Sequence, residues 1–336
     1  MTPNKTSKPP FFRALGNLMV VLIGAYGLSV TGFLILRLLV GGTIIEIFNS
    51  FAHLLFMMAF ILIPICLLMR RFRLIIVLIP PLAAFLLSYG VFFTPRSASA
   101  APDAPQIHVL TYNLKSQTEN LDSAIAVIRE VNADVVALQE LSEEASAILA
   151  ETFVDSYPYQ ALHPQPGEPI PGLGFFSRLP ITSDEYWRIY FGQQRVTLAL
   201  GERDIAFYNA HAVFPFGPNG FKFRHEEFSD ILGRATLETL PTIIAGDLNM
   251  TDQAADYWRI LSEFHDAQRE VGWGMGFTFP DYEMVNPALS FVPPLARIDY
   301  VFHGDDFQAL ETHVWPSSGG SDHRPLYARL ALVGNE

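Results

Sequence analysis

Six places in the chain set a polar side chain at the end of an apolar run: Asn113, Glu140, His211, Asp247 with Asn249, Asp299, and Asp322 with His323. Carboxylates, amides and imidazoles are the groups that bind cations and move protons. Taken singly, most of these positions have a plainer explanation. Asp and Asn at a strand end commonly serve the next turn, and Gly246-Asp247-Leu248-Asn249 alone reads as one. His211 alone is as readily a structural histidine. Glu140 is harder to set aside, because it closes the buried-looking run Asp134-Val135-Val136-Ala137-Leu138-Gln139. An isolated carboxylate there is costly, and a bound cation would compensate it.

The elements that must position these groups alternate along the chain. Residues 107–113 alternate as a strand, 121–131 read as a helix, and 134–140 as a buried strand. Residues 174–176, 196–200 and 204–211 read as further strands. A helix over about 224–239 leads into a strand at 242–247, and 297–302 form a late strand. Many of these strands are short and hairpin-like, which points to layered α/β (α+β) structure with mixed sheets rather than a purely parallel doubly wound fold. No internal repeat is evident.

Together the stretches Thr111-Tyr112-Asn113, Val135-Val136-Ala137-Leu138-Gln139-Glu140, Asn209-Ala210-His211, Gly246-Asp247-Leu248-Asn249, Arg297-Ile298-Asp299-Tyr300-Val301-Phe302 and Ser321-Asp322-His323 resemble the endonuclease/exonuclease/phosphatase superfamily, the DNase I-like group, in a membrane-anchored bacterial-type form. They occur in that family's order over about residues 107–332. The resemblance implies a four-layer sandwich, two packed mixed β-sheets flanked by helices, with the site at one end. It implies a metal set of Glu140, Asn113 and Asp322. Hard oxygen donors of this kind suit Mg²⁺ or Mn²⁺. Asp247 would orient or deprotonate the attacking water, Asn249 would hold a phosphate oxygen, and His211 would be a second phosphate contact. His323 would be the essential histidine, with Asp299 fixing its tautomer and favouring its protonated form. In-line hydrolysis of a phosphoester without a covalent intermediate follows from such a set.

Charge and hydropathy divide the chain in two. Residues 1–100 hold eight of its 22 Lys and Arg and one of its 34 Asp and Glu, so the remainder carries 14 basic and 33 acidic groups. A domain that acidic does not gather long polyanions by bulk field alone. Cys66 is the single cysteine, so no intrachain disulfide forms. Three apolar runs, at about 15–36, 47–69 and 74–93, each approach the roughly 20 residues a spanning helix needs. The expected organisation is an anchor of three transmembrane helices over 1–96, a small-residue and proline linker over 97–106, and a catalytic domain over 107–332. Lys5, Lys8 and Arg13 before the first run, and Arg70, Arg71 and Arg73 after the second, place the N-terminus in the cytoplasm. Three crossings then put the domain on the extracytoplasmic face of a bacterial inner or plasma membrane. Pro80-Pro81 in the third run is the point at which a crossing could fail, leaving the domain cytoplasmic.

The substrate is less legible. Phe214, Phe216, Phe221 and Phe223 follow His211, and residues 272–280 form a second aromatic, glycine-rich stretch. These rings either cover the sandwich edges or line the rim, where they could touch lipid or stack on a base. The expected substrate is a phosphodiester, with a lipid head group, nucleic acid or small phosphodiester as its source. A nuclease, a phospholipid phosphodiesterase or an inactive tethered scaffold are the alternatives. The lipid bilayer is the expected partner of the N-terminal helices, and no obligate protein partner is evident.

Overall fold

The computed structural model describes residues 10–94, 96–101, 103–116, 121–165, 172–217 and 219–333. Lys5 and Lys8, used above for orientation, lie outside them. The chain forms two compact units that divide between Val91 and Phe92, a few residues before the expected boundary at 96.

The first unit holds α1 (Pro10–Leu39), α2 (Thr43–Ser50), α3 (Ala52–Leu68) and α4 (Phe72–Tyr89), the last followed by a 3-10 turn, Gly90–Phe93. Ile23, Cys66 and Leu78 form a small core, while Leu18, Val21, Leu28, Ile76 and Leu87 are exposed. Gly27 permits close approach of α1 to α4, since a Cβ there would lie 2.5 Å from the Val77 carbonyl oxygen. Two segments, Arg13–Leu39 and Phe72–Phe93, are long and apolar enough to cross a membrane. The expected middle span is instead a helix pair bent by 51° between α2 and α3. Pro80 and Pro81 do not interrupt α4. The break falls at Phe51, beside Ser50, whose Oγ bonds the Glu46 carbonyl at 2.9 Å. Such back-bonding bends helices.

In the second unit, β1 (Gln106–Asn113), α5 (Leu121–Val131), β2 (Val135–Leu141), α6 (Glu143–Thr152), β3 (Tyr159–His163), β4 (Gly172–Ser177), β5 (Ile181–Arg188), β6 (Gly192–Leu200) and β7 (Arg203–His211) come first. Then follow α7 (Gly220–Thr236), β8 (Thr242–Asp247), α8 (Ala255–Ile260), β9 (His265–Asp266), α9 (Ala267–Val271), α10 (Tyr282–Val285), β10 (Asp299–His303), β11 (Phe307–Val314) and β12 (Leu326–Leu332). They build two six-stranded sheets, β11-β12-β1-β2-β4-β3 and β5-β6-β7-β8-β10-β9. Each is mixed: β1 with β2 and β7 with β8 are parallel, and the remaining pairs are antiparallel. α5 connects the first parallel pair and α7 the second, as a crossover requires.

Period-two alternation sorts the side chains into layers. Ile107 and Val109 of β1, Val135 and Ala137 of β2, Ile205 and Phe207 of β7, and Ile243 and Ala245 of β8 meet between the sheets. Leu110, Tyr112, Val136 and Leu138 face the other way, against α5 and α6. Tyr208, Ile244, Tyr300 and Phe302 face α7 and α8. The result is helix, sheet, sheet, helix: the four-layer sandwich expected. A buried polar bridge also ties the sheets. Gln139 donates to Asn209 Oδ1 at 2.7 Å, and Asn209 Nδ2 donates to the carbonyls of Leu138 and Gly174 and to Gln194.

Candidate active site

Register brings the expected residues to one end of the sandwich. His211 closes β7 directly beside Asp247 at the end of parallel β8, and Asp299 opens antiparallel β10 on the other side of Asp247. Continuing the inward parity of Ile107 and Val109 puts Asn113 in the intersheet space from β1. Glu140 breaks this rule. Inward parity on β2 runs through Val135, Ala137 and Gln139, so Glu140 should face the α5–α6 layer. Its backbone is left-handed, φ 57°, where the β2–β4 register shifts between Leu138 and Leu141. That kink turns the carboxylate back into the cavity, at a strain of about 1 kcal/mol or more.

The cavity has a volume of about 260 Å³ and is lined by Glu140, His211, Asp247, Asn249, Asp322 and His323, with Lys115 at its rim. Phe191, Phe214, Phe279 and Ile298 supply an apolar wall. Glu140 and His323 thus share one cavity, although 183 positions separate them in the chain. Asp247 Oδ2 is the hub. Asn113 Nδ2 donates to it at 3.0 Å and Asn249 Nδ2 at 3.3 Å, while Nε2 of His323 and of His211 stand 3.7 and 3.9 Å away. Asn113 Nδ2 also reaches Glu140 Oε1 at 3.2 Å. Its amide oxygen accepts the Lys115 N–H at 2.9 Å, which fixes the orientation of the amide. Asn249 has φ 48° and donates to the Ala212 carbonyl at 2.9 Å. Gly246 must be glycine: its φ is 149°, and a Cβ would lie 1.8 Å from the Ala210 carbonyl oxygen.

Burial and charge set the protonation states. His323 Nδ1 bonds Asp299 Oδ2 at 3.0 Å. Burial alone would lower the imidazole's proton affinity, but the carboxylates of Asp299 and Asp247 outweigh it and lift the pKa to about 10. Burial pushes Asp247 up, and the charge of Asp299 adds to that against the His323 cation and the amide donors. Burial also raises Glu140, with Asp322 contributing in the same direction. His211 is neutral: burial, then the charge of His323, lowers it to about 3.

Sequence reasoning passed over several residues that shape this site. Lys115, at φ 55°, pairs with Asp322 at 3.3 Å and is the one Lys or Arg among the described residues lining the cavity. Buried Glu227 of α7 accepts the backbone N–H groups of Tyr190, Phe191 and Val213, fixing the two loops that flank His211. Phe191, likewise passed over, packs on His211 with ring centroids 4.7 Å apart, while Phe279, from the aromatic stretch 272–280 noted in the sequence, packs on His323 at 4.8 Å. A helical Glu followed by no recognisable motif leaves no signal of such a role in the sequence.

Asp247, Asp299 and His323 also lie close enough together to resemble a cation site. An imidazole held protonated by two carboxylates has no lone pair to give, so that trio is better suited to holding a proton. Glu140 and Asp322 face the more open part of the cavity, with side chains 28% and 18% exposed. Three acidic groups facing one space, two of them with raised proton affinity, fit a hard divalent cation.

The family model for the endonuclease/exonuclease/phosphatase family matches residues 110–323. Several solved structures share the fold. The endonuclease/exonuclease/phosphatase from Beutenbergia cavernae DSM 12333 is 21% identical with a TM-score of 0.53, the match covering 68% of this chain and 72% of that one. Sphingomyelinase C from Streptomyces griseocarneus is 19% identical with a TM-score of 0.52, covering 67% and 99%. D. rerio TDP2, complexed with single-strand DNA product, is 16% identical with a TM-score of 0.56, covering 67% and 98%. At these identities the likeness is one of fold. No curated protein matches the chain in sequence.

Proposed function

The chain belongs to the endonuclease/exonuclease/phosphatase family, whose members hydrolyse phosphoester bonds, and on that premise we propose that it is a membrane-tethered, divalent-metal-dependent phosphodiesterase. The observation that carries this reading is the convergence of Asn113, His211, Asn249 and His323 on Asp247 Oδ2, with Glu140 in the same cavity.

Glu140 and Asp322 would hold Mg²⁺ or Mn²⁺, with Asn113 orienting the Glu140 carboxylate through its amide. The cation, when bound, supplies Lewis-acid polarisation of a phosphoryl oxygen. Asp247 is suited to accept the proton of the attacking water, because a carboxyl with raised proton affinity is a stronger base than an exposed one. Asn249, against the Asp247 carboxylate, would hold a non-bridging oxygen. His211, neutral, would donate a hydrogen bond rather than a charge. Protonated His323, kept so by Asp299, would stabilise negative charge developing on the phosphoryl group. Residues 107–332 would form the catalytic core, 97–106 the tether, and 1–96 an anchor. If the bent α2–α3 pair crosses, the domain is extracytoplasmic.

The purified full chain should hydrolyse an aryl phosphodiester with Mg²⁺ or Mn²⁺, stop in chelator, and lose activity as Glu140→Gln or His323→Ala. Undiminished turnover in both variants would remove the site assignment. An absence of turnover on lipid, nucleic-acid and small phosphodiesters alike would favour an inactive scaffold.

A further inference from the structure

The apolar segment Phe72–Phe93 ends on two aromatic residues that are already part of the second unit. Phe92 is fully buried there. The Arg297 guanidinium lies 4.9 Å above its ring and that of Arg269 5.8 Å, and its carbonyl accepts the Gly274 N–H at 2.7 Å. Phe93 packs edge-on against Trp273 at 6.3 Å. The domain's first residues are clamped into it where the apolar segment stops.

Three aromatic side chains surround the clamp and remain open to solvent: Phe93 at 45%, Trp258 at 46% and Trp273 at 66% exposure. Trp258 belongs to the same cluster, because Arg269 lies between it and Phe92, 5.4 Å from the indole. Tryptophan beside arginine, next to the last residue of an apolar segment, is the composition that partitions into the headgroup layer. There the ring sheds water and the polar edge keeps it. Trp258 lies beside Arg269 and Trp273 beside Phe93, so exposed aromatic rings and a guanidinium share this surface.

We propose that the surface carrying Phe93, Trp258 and Trp273 docks the catalytic domain onto the headgroup layer of the bilayer that holds Phe72–Phe93. The proposal rests on that segment lying in a membrane, and not on the hydrolytic activity. It bears on the active site because the same backbone serves both. Arg297 covers Phe92 while Ile298 lines the catalytic cavity, and the loop that starts at Trp273 reaches the cavity wall at Phe279, against His323.

All four tryptophans, Trp187, Trp258, Trp273 and Trp315, lie in the second unit, so the emission of the full chain reports on that unit alone. The full chain is reconstituted into phosphatidylcholine–phosphatidylglycerol vesicles, with or without bromine on the acyl chains near the glycerol. Brominated lipid should quench a chain carrying Trp187→Phe and Trp315→Phe, removing the larger part of its emission. It should leave a chain carrying Trp258→Phe and Trp273→Phe close to its unbrominated value. Wild-type emission that is indifferent to bromination overturns the proposal, as does quenching that survives in the Trp258→Phe, Trp273→Phe chain. A surface that binds a second copy of the chain instead gives that indifferent result. Hydrolysis of a soluble diester, measured on the same samples, reports separately on the proposed activity.

Discussion

Replacing Asp299 by Asn tests whether charge, and not only position, makes His323 work. Asp299 Oδ2 stands 3.0 Å from His323 Nδ1, both side chains being nearly inaccessible to water. Two unit charges at that distance interact by about 5 kcal/mol at an effective dielectric of about 20. At about 1.4 kcal/mol per pKa unit, that is a drop of roughly 4 units. Starting from about 10, the imidazolium of the Asn variant would titrate near 6, close to an ordinary histidine. If the reaction needs protonated His323, the variant at pH 8 keeps roughly 1% of that form and turns over about a hundredfold more slowly. It recovers towards pH 6, whereas the wild type holds its rate to far higher pH. A bound cation lowers both profiles, so the displacement between them is the quantity to read. The assay is kcat for an aryl phosphodiester at saturating Mg²⁺ across that range. Alkaline midpoints that coincide, or a uniform loss at every pH, would refute the electrostatic role. Stability follows the same sign. A histidine whose pKa is raised in the folded state contributes fully below its unfolded value of about 6.5 and loses that contribution as pH rises towards 10. Melting of the wild type in chelator should fall across that window, and the variant should show a shallower slope.

Glu140 carries the same sign in a lower window, because burial raises a carboxyl: in chelator the unfolded chain ionises first, so stability falls as pH rises from the free-glutamate value towards the folded one. Adding Mn²⁺ in that window should release protons, measurable by calorimetry in buffers of different ionisation enthalpy, and Glu140→Gln should remove the release. Gly246→Ala sets a Cβ 1.8 Å from a backbone oxygen with no flexible side chain to yield. It should cost about 3 kcal/mol or more, seen as a lowered melting temperature. A reporter fused after the last residue should signal from the extracytoplasmic side if the bent α2–α3 pair crosses. A cytoplasmic signal would mean that only Arg13–Leu39 and Phe72–Phe93 do.

The elements that hold the site were legible because their side chains alternate cleanly. Residues 107–113, 204–211 and 242–247 show inward apolar parity ending in a polar group, and the strands Gln106–Asn113, Arg203–His211 and Thr242–Asp247 follow it. The strand Ile181–Arg188 gave no such sign, since it is an edge strand with Thr182, Ser183, Asp184 and Glu185 all exposed. In the first unit the proline pair drew attention away from the actual break. Pro80 and Pro81 sit within an unbroken helix, whereas Asn49 and Ser50 each donate to Glu46 and the helix turns at the next residue. Local hydrogen-bond competition by short polar side chains, rather than proline, decides that bend.

The site itself was legible as a set of residue types but not as a geometry, and Glu140 shows why. Strict alternation sends its carboxylate into the helical layer with Val136 and Leu138, away from Asn113 and Asp247. Only the left-handed backbone and the shifted register at the end of β2 bring it within 3.2 Å of Asn113. A non-glycine residue pays for that conformation, so something in the cavity must make the inward position worth holding. The Asn113 amide is one such interaction, but it serves Asp247 as well and leaves the Glu140 carboxyl with a raised proton affinity. In the free protein the Glu140 carboxyl therefore holds its proton to higher pH than a free glutamate does, and a divalent cation would compete with that proton. On this account metal and protons compete for Glu140, and the kink that a sequence pattern does not reveal is the feature that makes the competition possible.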